Sequence, residues 1–440
     1  MVLARANLSF YRAVLTLARP LVRLRLWLRA RKEPEYGERV EERFGAVPAD
    51  VRPEPIWFHT VSAGESIAAM PLIEAVLKRF PAVPVLVTTM TPTGSGEVTR
   101  RLGGRVDHCY APYDFTSAVT RFYDRVKPRA LVLMETELWP NLIRLGEERR
   151  IPVMLVNARL SERSARGYER IGALARRMLG ALELVACQTE AHRQRFEALG
   201  AANVAVAGSV KFDVELTDEQ RAEAQRLRSD WGLEDRPVWV VGSTHPGEDE
   251  MVLAAFARLR ERFSDACLVL VPRHPVRSAE VLALAENAGF TAHLQSALQE
   301  SAANTSRVAD VVVGDTMGTL MQLFGLAQVA MVGGSLVERG GHNPIEAALW
   351  GLPIIMGPHV FNFAEVVDEF EAAHALRTVS SAESLAETVL ELFDGEQQRR
   401  EMGQRALSVV DQHRGALARQ IALLEPVLTR VVQGEENSPL

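Results

Sequence analysis

What most constrains this chain is an alternation. Short apolar runs at 56–58, 84–88, 130–134, 152–156, 182–187 and 203–206 are separated by stretches of helical periodicity. A second series, at 238–243, 267–271, 311–314, 329–334 and 353–357, repeats the arrangement. Continuous apolar runs suit strands buried on both faces, the condition of a parallel sheet covered by crossover helices. The expected class is therefore α/β, in two similar halves. A length of 440 residues agrees, because one hydrophobic core seldom serves so long a chain. Between the series, GSVKFDVELTDEQ (208–220) loses the apolar rhythm and supplies Thr217 as a helix N-cap, so the hinge is predicted there. The domains read as a 1–50 amino-terminal segment, a 51–210 domain and a 211–432 domain. The last of these ends in one long helix from about Gln397 to Val432, and a polar tail, 433–440, follows.

The first thirty-two residues stand apart. They contain no acid, and Arg5, Arg12, Arg19, Arg23, Arg25, Arg29, Arg31 and Lys32 are interleaved with leucines, Phe10, Tyr11 and Trp27. The apolar stretch Ala13–Ala18 is far below the roughly 20 residues that span a bilayer. Such a segment suits the headgroup layer, apolar side chains inward and guanidinium groups on anionic lipid, or else docks on its own domain. Pro20 is expected to kink it. A net charge of −6 argues against a general nucleic-acid binder. Cys109, Cys187 and Cys267 are scattered in strand-like runs and read as buried thiols.

Candidate chemistry gathers at strand ends. HTVSAGES (59–66) sets Glu65 where a strand turns into a helix, and VVGSTHPGEDE (240–250) repeats strand, small polar loop, acid and helix in the second half. Loops at the carboxyl ends of parallel strands border the crevice where ligands bind, so two of them facing across a cleft would form a site from both halves. Neither GxGxxG nor GxxxxGK[ST] appears at a first strand-helix turn, which weakens a nicotinamide dehydrogenase or a P-loop hydrolase. Instead GGSLVERGGHNPIEAALWG (333–351) opens a helix near Asn343-Pro344, a start that attracts phosphate; Glu346 there either completes a capping box or binds a ribose hydroxyl. VPRHP (271–275) puts Arg273 just past a strand, and GDTMG (314–318) occupies the equivalent place in the next unit. His245 and His274 lack the carboxylate or cysteine spacing that would complete a metal site.

Together HTVSAGE, TTMTPTGS, APYD, METELWPN, NARLS, GSVKFD, STHPGE, VPRHP, GDTMG and VGGSLVERGGHNPIEAA resemble the 3-deoxy-D-manno-octulosonic acid (Kdo) transferases, over nearly the entire chain. The resemblance implies a GT-B glycosyltransferase: two Rossmann-like domains facing a cleft, inversion without a metal ion or cofactor, and an N-terminal membrane-associated helix. It implies CMP-Kdo as donor, the lipid A precursor as acceptor, and attachment to inner membrane lipid at the cytoplasmic face. By resemblance Glu65 is the general base, and Glu135 and Lys211 support the transition state. Pro272, Arg273, Met317, Gly318, Thr319, Asn343, Pro344, Ile345 and Glu346 hold CMP, with Ser243, Thr244 and His245 near the donor. Read from its residues alone, Glu65 equally suits stabilisation of a helix start, and Lys211 a solvated linker. Glu135 and Glu137 alternate along a strand end, so at most one is expected to face the cleft, while Glu137 binds acceptor or caps the next helix. Thr319 departs from the family, which usually has an acid there. Arg19, Arg23, Arg25 and Arg29 are candidates for binding acceptor phosphates. The rival readings are a GT-B enzyme using a UDP-linked sugar and a binding or scaffold protein on a retired transferase fold.

Overall fold

The computed structural model describes residues 2–300 and 309–434, so most of the 433–440 tail lies outside the described residues. The chain forms two compact units: Met1–Asp213 together with His413–Leu440, and Val214–Gln412. Each is built on a seven-stranded parallel sheet.

In the first unit the strands are β1 (Ile56–His59), β2 (Val85–Thr89), β3 (Asp107–Tyr110), β4 (Ala130–Met134), β5 (Val153–Ala158), β6 (Leu184–Cys187) and β7 (Val204–Val206), in the order β3-β2-β1-β4-β5-β6-β7. In the second they are β8 (Val238–Thr244), β9 (Cys267–Pro272), β10 (Ala292–Leu294), β11 (Val311–Val313), β12 (Val329–Val332), β13 (Ile354–Met356) and β14 (Leu376–Thr378), in the order β10-β11-β9-β8-β12-β13-β14. Strand order reverses between β1 and β4 in one sheet and between β8 and β12 in the other. In open α/β sheets, the carboxyl ends at such a switch point are where ligands bind. Cys109, Cys187 and Cys267 are buried free thiols, as expected.

Three strands, β3, β10 and β14, escape the reading of apolar runs, and all three are sheet edges. An edge strand packs on one neighbour only. It can therefore be short and carry residues such as Asp107, His108, His293 and Arg377, which are not fully buried.

The predicted final helix is two, Glu396–His413 and Ala416–Gln433, separated where Gly415 adopts φ 74°. The second belongs to the first unit, contrary to the expected 211–432 domain. Leu424, Val427 and Leu428 are buried with Ile56, Phe58, Leu72 and Val76 on one face of the β1 sheet. The Asp213 carboxylate accepts from the amides of Gly415 (2.8 Å) and Leu417 (2.6 Å) and so fixes the helix start. Lys211, expected in the second domain, lies in a 3-10 turn, Val210–Phe212, of the first.

The amino-terminal helix, Val2–Ala30, is continuous through Pro20 and docks on the first unit. Leu8 and Leu26 are buried, and Leu15 and Val22 pack against Phe44, Phe115 and Ala118. Tyr11 donates to Asp114 (2.8 Å) and the Arg12 guanidinium to Asn141 Oδ1 (2.7 Å). Arg19 and Arg23 lie over the Phe44 ring and Arg29 over Tyr36. The opposite face carries Phe10, Val14, Leu17, Leu21, Leu24 and Leu28, all exposed. Their alternating spacings of four and three make one stripe along a helix. Three of the four arginines expected on phosphate thus lean on aromatic rings of the protein. Among the described residues no helix is long and apolar enough to cross a membrane.

Candidate functional site

In the first unit, the loops after β1 and β4 meet at the switch point. Ser62 caps the helix Ala63–Arg79, and Glu65, its third residue, completes a capping box. The Glu65 carboxylate accepts from the amides of Val61 (2.9 Å) and Ser62 (3.3 Å) and from the Ser62 hydroxyl (2.9 Å). The helix-start role is therefore real. It is compatible with chemistry, because burial, reinforced by the negative charges of Glu137 and Glu135, pushes the Glu65 carboxyl up to about 7 despite those hydrogen bonds. A carboxylate balanced between its two forms near neutrality is suited to take and release a proton.

Glu135 follows β4 directly and holds φ 55°, a backbone conformation few side chains tolerate. The strand's alternation ends at Met134 and does not govern Glu135 and Glu137. Both carboxylates act on the charge of Glu65. Glu135 is buried and bound on both oxygens, by Lys211 Nζ at 2.8 Å and Arg159 Nε at 2.7 Å. Burial alone would raise its pKa, but the two cations outweigh burial and hold it below the ordinary carboxylate range. Glu137 accepts from Trp139 Nε1 (2.8 Å), and burial, with Glu135 nearby, raises its pKa. Lys211 is thus an ion-pair partner of the site. Its turn is held by the amide of Val210 donating to Asn157 Oδ1 (3.2 Å) and that of Ser209 to His413 Nδ1 (3.1 Å).

The second unit gathers its candidates at the ends of β8, β9, β11 and β12. Pro272 closes β9 and is buried, while Arg273 is exposed and donates its amide to Thr244 O (2.9 Å). Asn343 Oδ1 accepts from the Ile345 amide (3.1 Å), and Asn343 Nδ2 reaches Glu346 Oε1 at 3.4 Å. Glu346 is raised by burial, with Asn343 and the Arg273 charge acting against the rise. Asn343 and Glu346 are therefore joined side chain to side chain, without the reciprocal capping box, and the following helix, Ile345–Ala348, is a single turn with Pro344 before it. Ile345 is buried. Met317 is exposed, Gly318 has φ 83°, and Thr319 Oγ1 donates to Thr316 O (2.9 Å) and lies 3.2 Å from the Gln295 side-chain amide. The Thr319 hydroxyl is thereby engaged within the protein. Ser243 carries φ 61° at a register shift of β8, and Thr244 is fully buried, donating to Asp249 Oδ1 (2.6 Å), so its side chain serves the interior.

His245 and His342 stack at 5.2 Å with their Nε2 atoms 3.0 Å apart. Burial first, then neighbouring cations, lowers both, His342 to about 4. The two Nε2 atoms are within hydrogen-bond reach of each other, with donor and acceptor set by the ring tautomers. Among the described residues, no group of three His, Cys, Asp or Glu is arranged to hold a metal ion. Sequence reasoning missed Arg159, His342 and Glu248. Only Glu248 left a signal, as the acid of the repeated strand–loop–acid–helix pattern.

The model of the 3-deoxy-D-manno-octulosonic-acid transferase (kdotransferase) domain matches residues 38–214, and that of glycosyl transferases group 1 matches residues 248–409. A 3-deoxy-D-manno-octulosonic acid transferase of Haemophilus influenzae is 37% identical over 96% of this chain and 99% of its own length. One from Bordetella pertussis is 37% identical over 94% of this chain and 99% of its own. Among solved structures, a C-terminal CMP-Kdo binding domain from Acinetobacter baumannii is 30% identical, with a TM-score of 0.41, covering 44% of this chain and 99% of that domain. On these matches the chain is an enzyme of the glycosyltransferase class and belongs to the 3-deoxy-D-manno-octulosonic acid transferase family.

Proposed function

We propose that this enzyme moves Kdo from CMP-Kdo to the lipid A precursor lipid IVA, inverting the anomeric centre, with Glu65 as general base and the two units arranged as a GT-B pair. The observation that carries the reading is the Glu65 carboxylate, poised at about 7 at the β1–β4 switch point beside Glu135 and Glu137. As the acceptor hydroxyl attacks the anomeric carbon, its proton passes to Glu65. The bond from that carbon to the phosphate oxygen breaks, and CMP leaves with the electron pair. Cations fixed before reaction stabilise the developing charge without reorganising. Arg273 suits the phosphate, with Asn343–Glu346 and Met317–Thr319 on neighbouring loops. Lys211, shared with Arg159, keeps Glu135 ionised and the base environment in place.

The amino-terminal helix supports attachment to the cytoplasmic face of the inner membrane, where a lipid acceptor is met. Its exposed stripe from Phe10 to Leu28 faces away from the protein, and Arg25 and Trp27 at its end are exposed too. The decisive experiment is Glu65→Gln assayed with CMP-Kdo and lipid IVA, the product weighed by mass spectrometry. Glutamine can still fill the capping box, so the fold should persist while turnover falls by about 10²–10⁴-fold. Parental turnover in a folded variant would overturn the assignment.

A further inference from the structure

The acid of the second strand–loop–acid–helix unit, Glu248, opens the helix Glu248–Arg262 as Glu65 lies in the first turn of its own. Its surroundings differ. Glu248 is fully buried, and its carboxylate accepts four backbone amides: His245 (2.9 Å) and Gly334 (2.7 Å) on Oε2, Ser335 (3.0 Å) and Leu336 (2.9 Å) on Oε1. Three successive amides converging through a left-handed glycine, Gly334 at φ 68°, form the concavity that elsewhere receives a phosphate. Here an internal carboxylate fills it. The same loop is pinned by Ser335, whose hydroxyl donates to Val332 O (2.6 Å) and accepts the Gly357 amide (2.8 Å). Gly333 lies so close to β8 that an added Cβ would stand 2.7 Å from Ser243 O. The amides at the start of the glycine-rich segment are thus unavailable to a ligand. The segment's later part, with His342, Asn343 and Glu346, continues from an anchored base.

We infer that Glu248 is a positioning residue of the donor site: an internal anion that occupies the amide nest at the β8–β12 switch point. It sets the loop leading to His342, Asn343 and Glu346, and it leaves the donor phosphate to the cationic side of the site around Arg273. His245 is held by the same carboxylate through its own amide, which places both rings of the stacked histidine pair under one anchor. The inference rests on the nucleotide-donor reading above.

Glu248→Gln tests it, because glutamine has the same shape but turns an N–H₂ toward two amides that need an acceptor. The full chain is titrated with CMP by calorimetry. The Kd is expected to rise about tenfold or more with the stoichiometry unchanged. In turnover the KM for donor should rise in proportion while the KM for acceptor stays put. A role in stability alone would lower the number of competent sites and leave the Kd of the remainder intact, and that outcome overturns the inference. So does a folded Glu248→Gln chain with parental Kd. Glu248→Asp keeps the charge but withdraws it by one methylene, and a smaller rise in Kd is expected. Should the glutamine variant not fold, an unchanged Kd in the aspartate variant is overturning. A parental chain that binds no CMP would instead sink the donor reading.

Discussion

Glu65 works under two demands at once, since the hydrogen bonds that cap a helix favour its ionised form while burial and two neighbouring carboxylates oppose it. If it is the base, kcat/KM should rise with pH through an inflection near 7, because only the ionised form accepts a proton. Glu137→Gln removes a like charge that destabilises the carboxylate, so the inflection should move to lower pH; a pH–rate profile of the two proteins checks this. Lys211→Met strips one cation from buried Glu135 and should lower stability by about 1–3 kcal/mol in a denaturant titration. Glu65 was legible as an acid at a strand-helix junction, but its balance between forms was not, since that depends first on its burial and then on carboxylates about seventy residues further along the chain. Strand alternation does not extend to Glu135 and Glu137, for a local reason. A left-handed residue directly after Met134 ends the strand's period of two, and nothing in METELWPN announces a positive φ at a glutamate.

At the scale of elements, interior strands were legible, and of the four edge strands only β7 was. Burial on both faces writes a continuous apolar run, whereas β3, β10 and β14 keep polar residues on their open sides. The amino-terminal helix was legible as amphipathic, yet its orientation inverted part of the expectation. Arginines with aromatic partners on the protein and leucines without partners produce an apolar outer face. Composition gives both faces but not which one finds Phe44 and Asn141. Leu17 and Leu21 are 80% and 66% exposed, so replacing both with glutamate should leave stability within about 0.5 kcal/mol by thermal unfolding. Co-sedimentation with vesicles containing anionic lipid should nevertheless be lost. A carbonate wash should release the parental chain, since attachment by one face of a helix does not span the bilayer.

At the scale of the whole molecule, two units were legible from the two series of strands, and the chain passes from the first to the second at Asp213–Val214, inside the segment 208–220 where the apolar rhythm is lost. The return of the final helix to the first unit was not, because an apolar face specifies that a helix must be covered and leaves open which sheet covers it. That return has a consequence for how the protein can be divided. A fragment ending at Asp213 would present Ile56, Phe58, Leu72 and Val76 without Leu424, Val427 and Leu428, and should be recovered in the insoluble fraction unless residues 413–440 are co-expressed. Since the polypeptide departs from one half at Val214 and re-enters it at His413, its first and last helices belong to the same lobe. A fluorophore or affinity handle attached to either of those two helices therefore reports on the lobe carrying Glu65, and a label meant for the other lobe belongs between Val214 and Gln412.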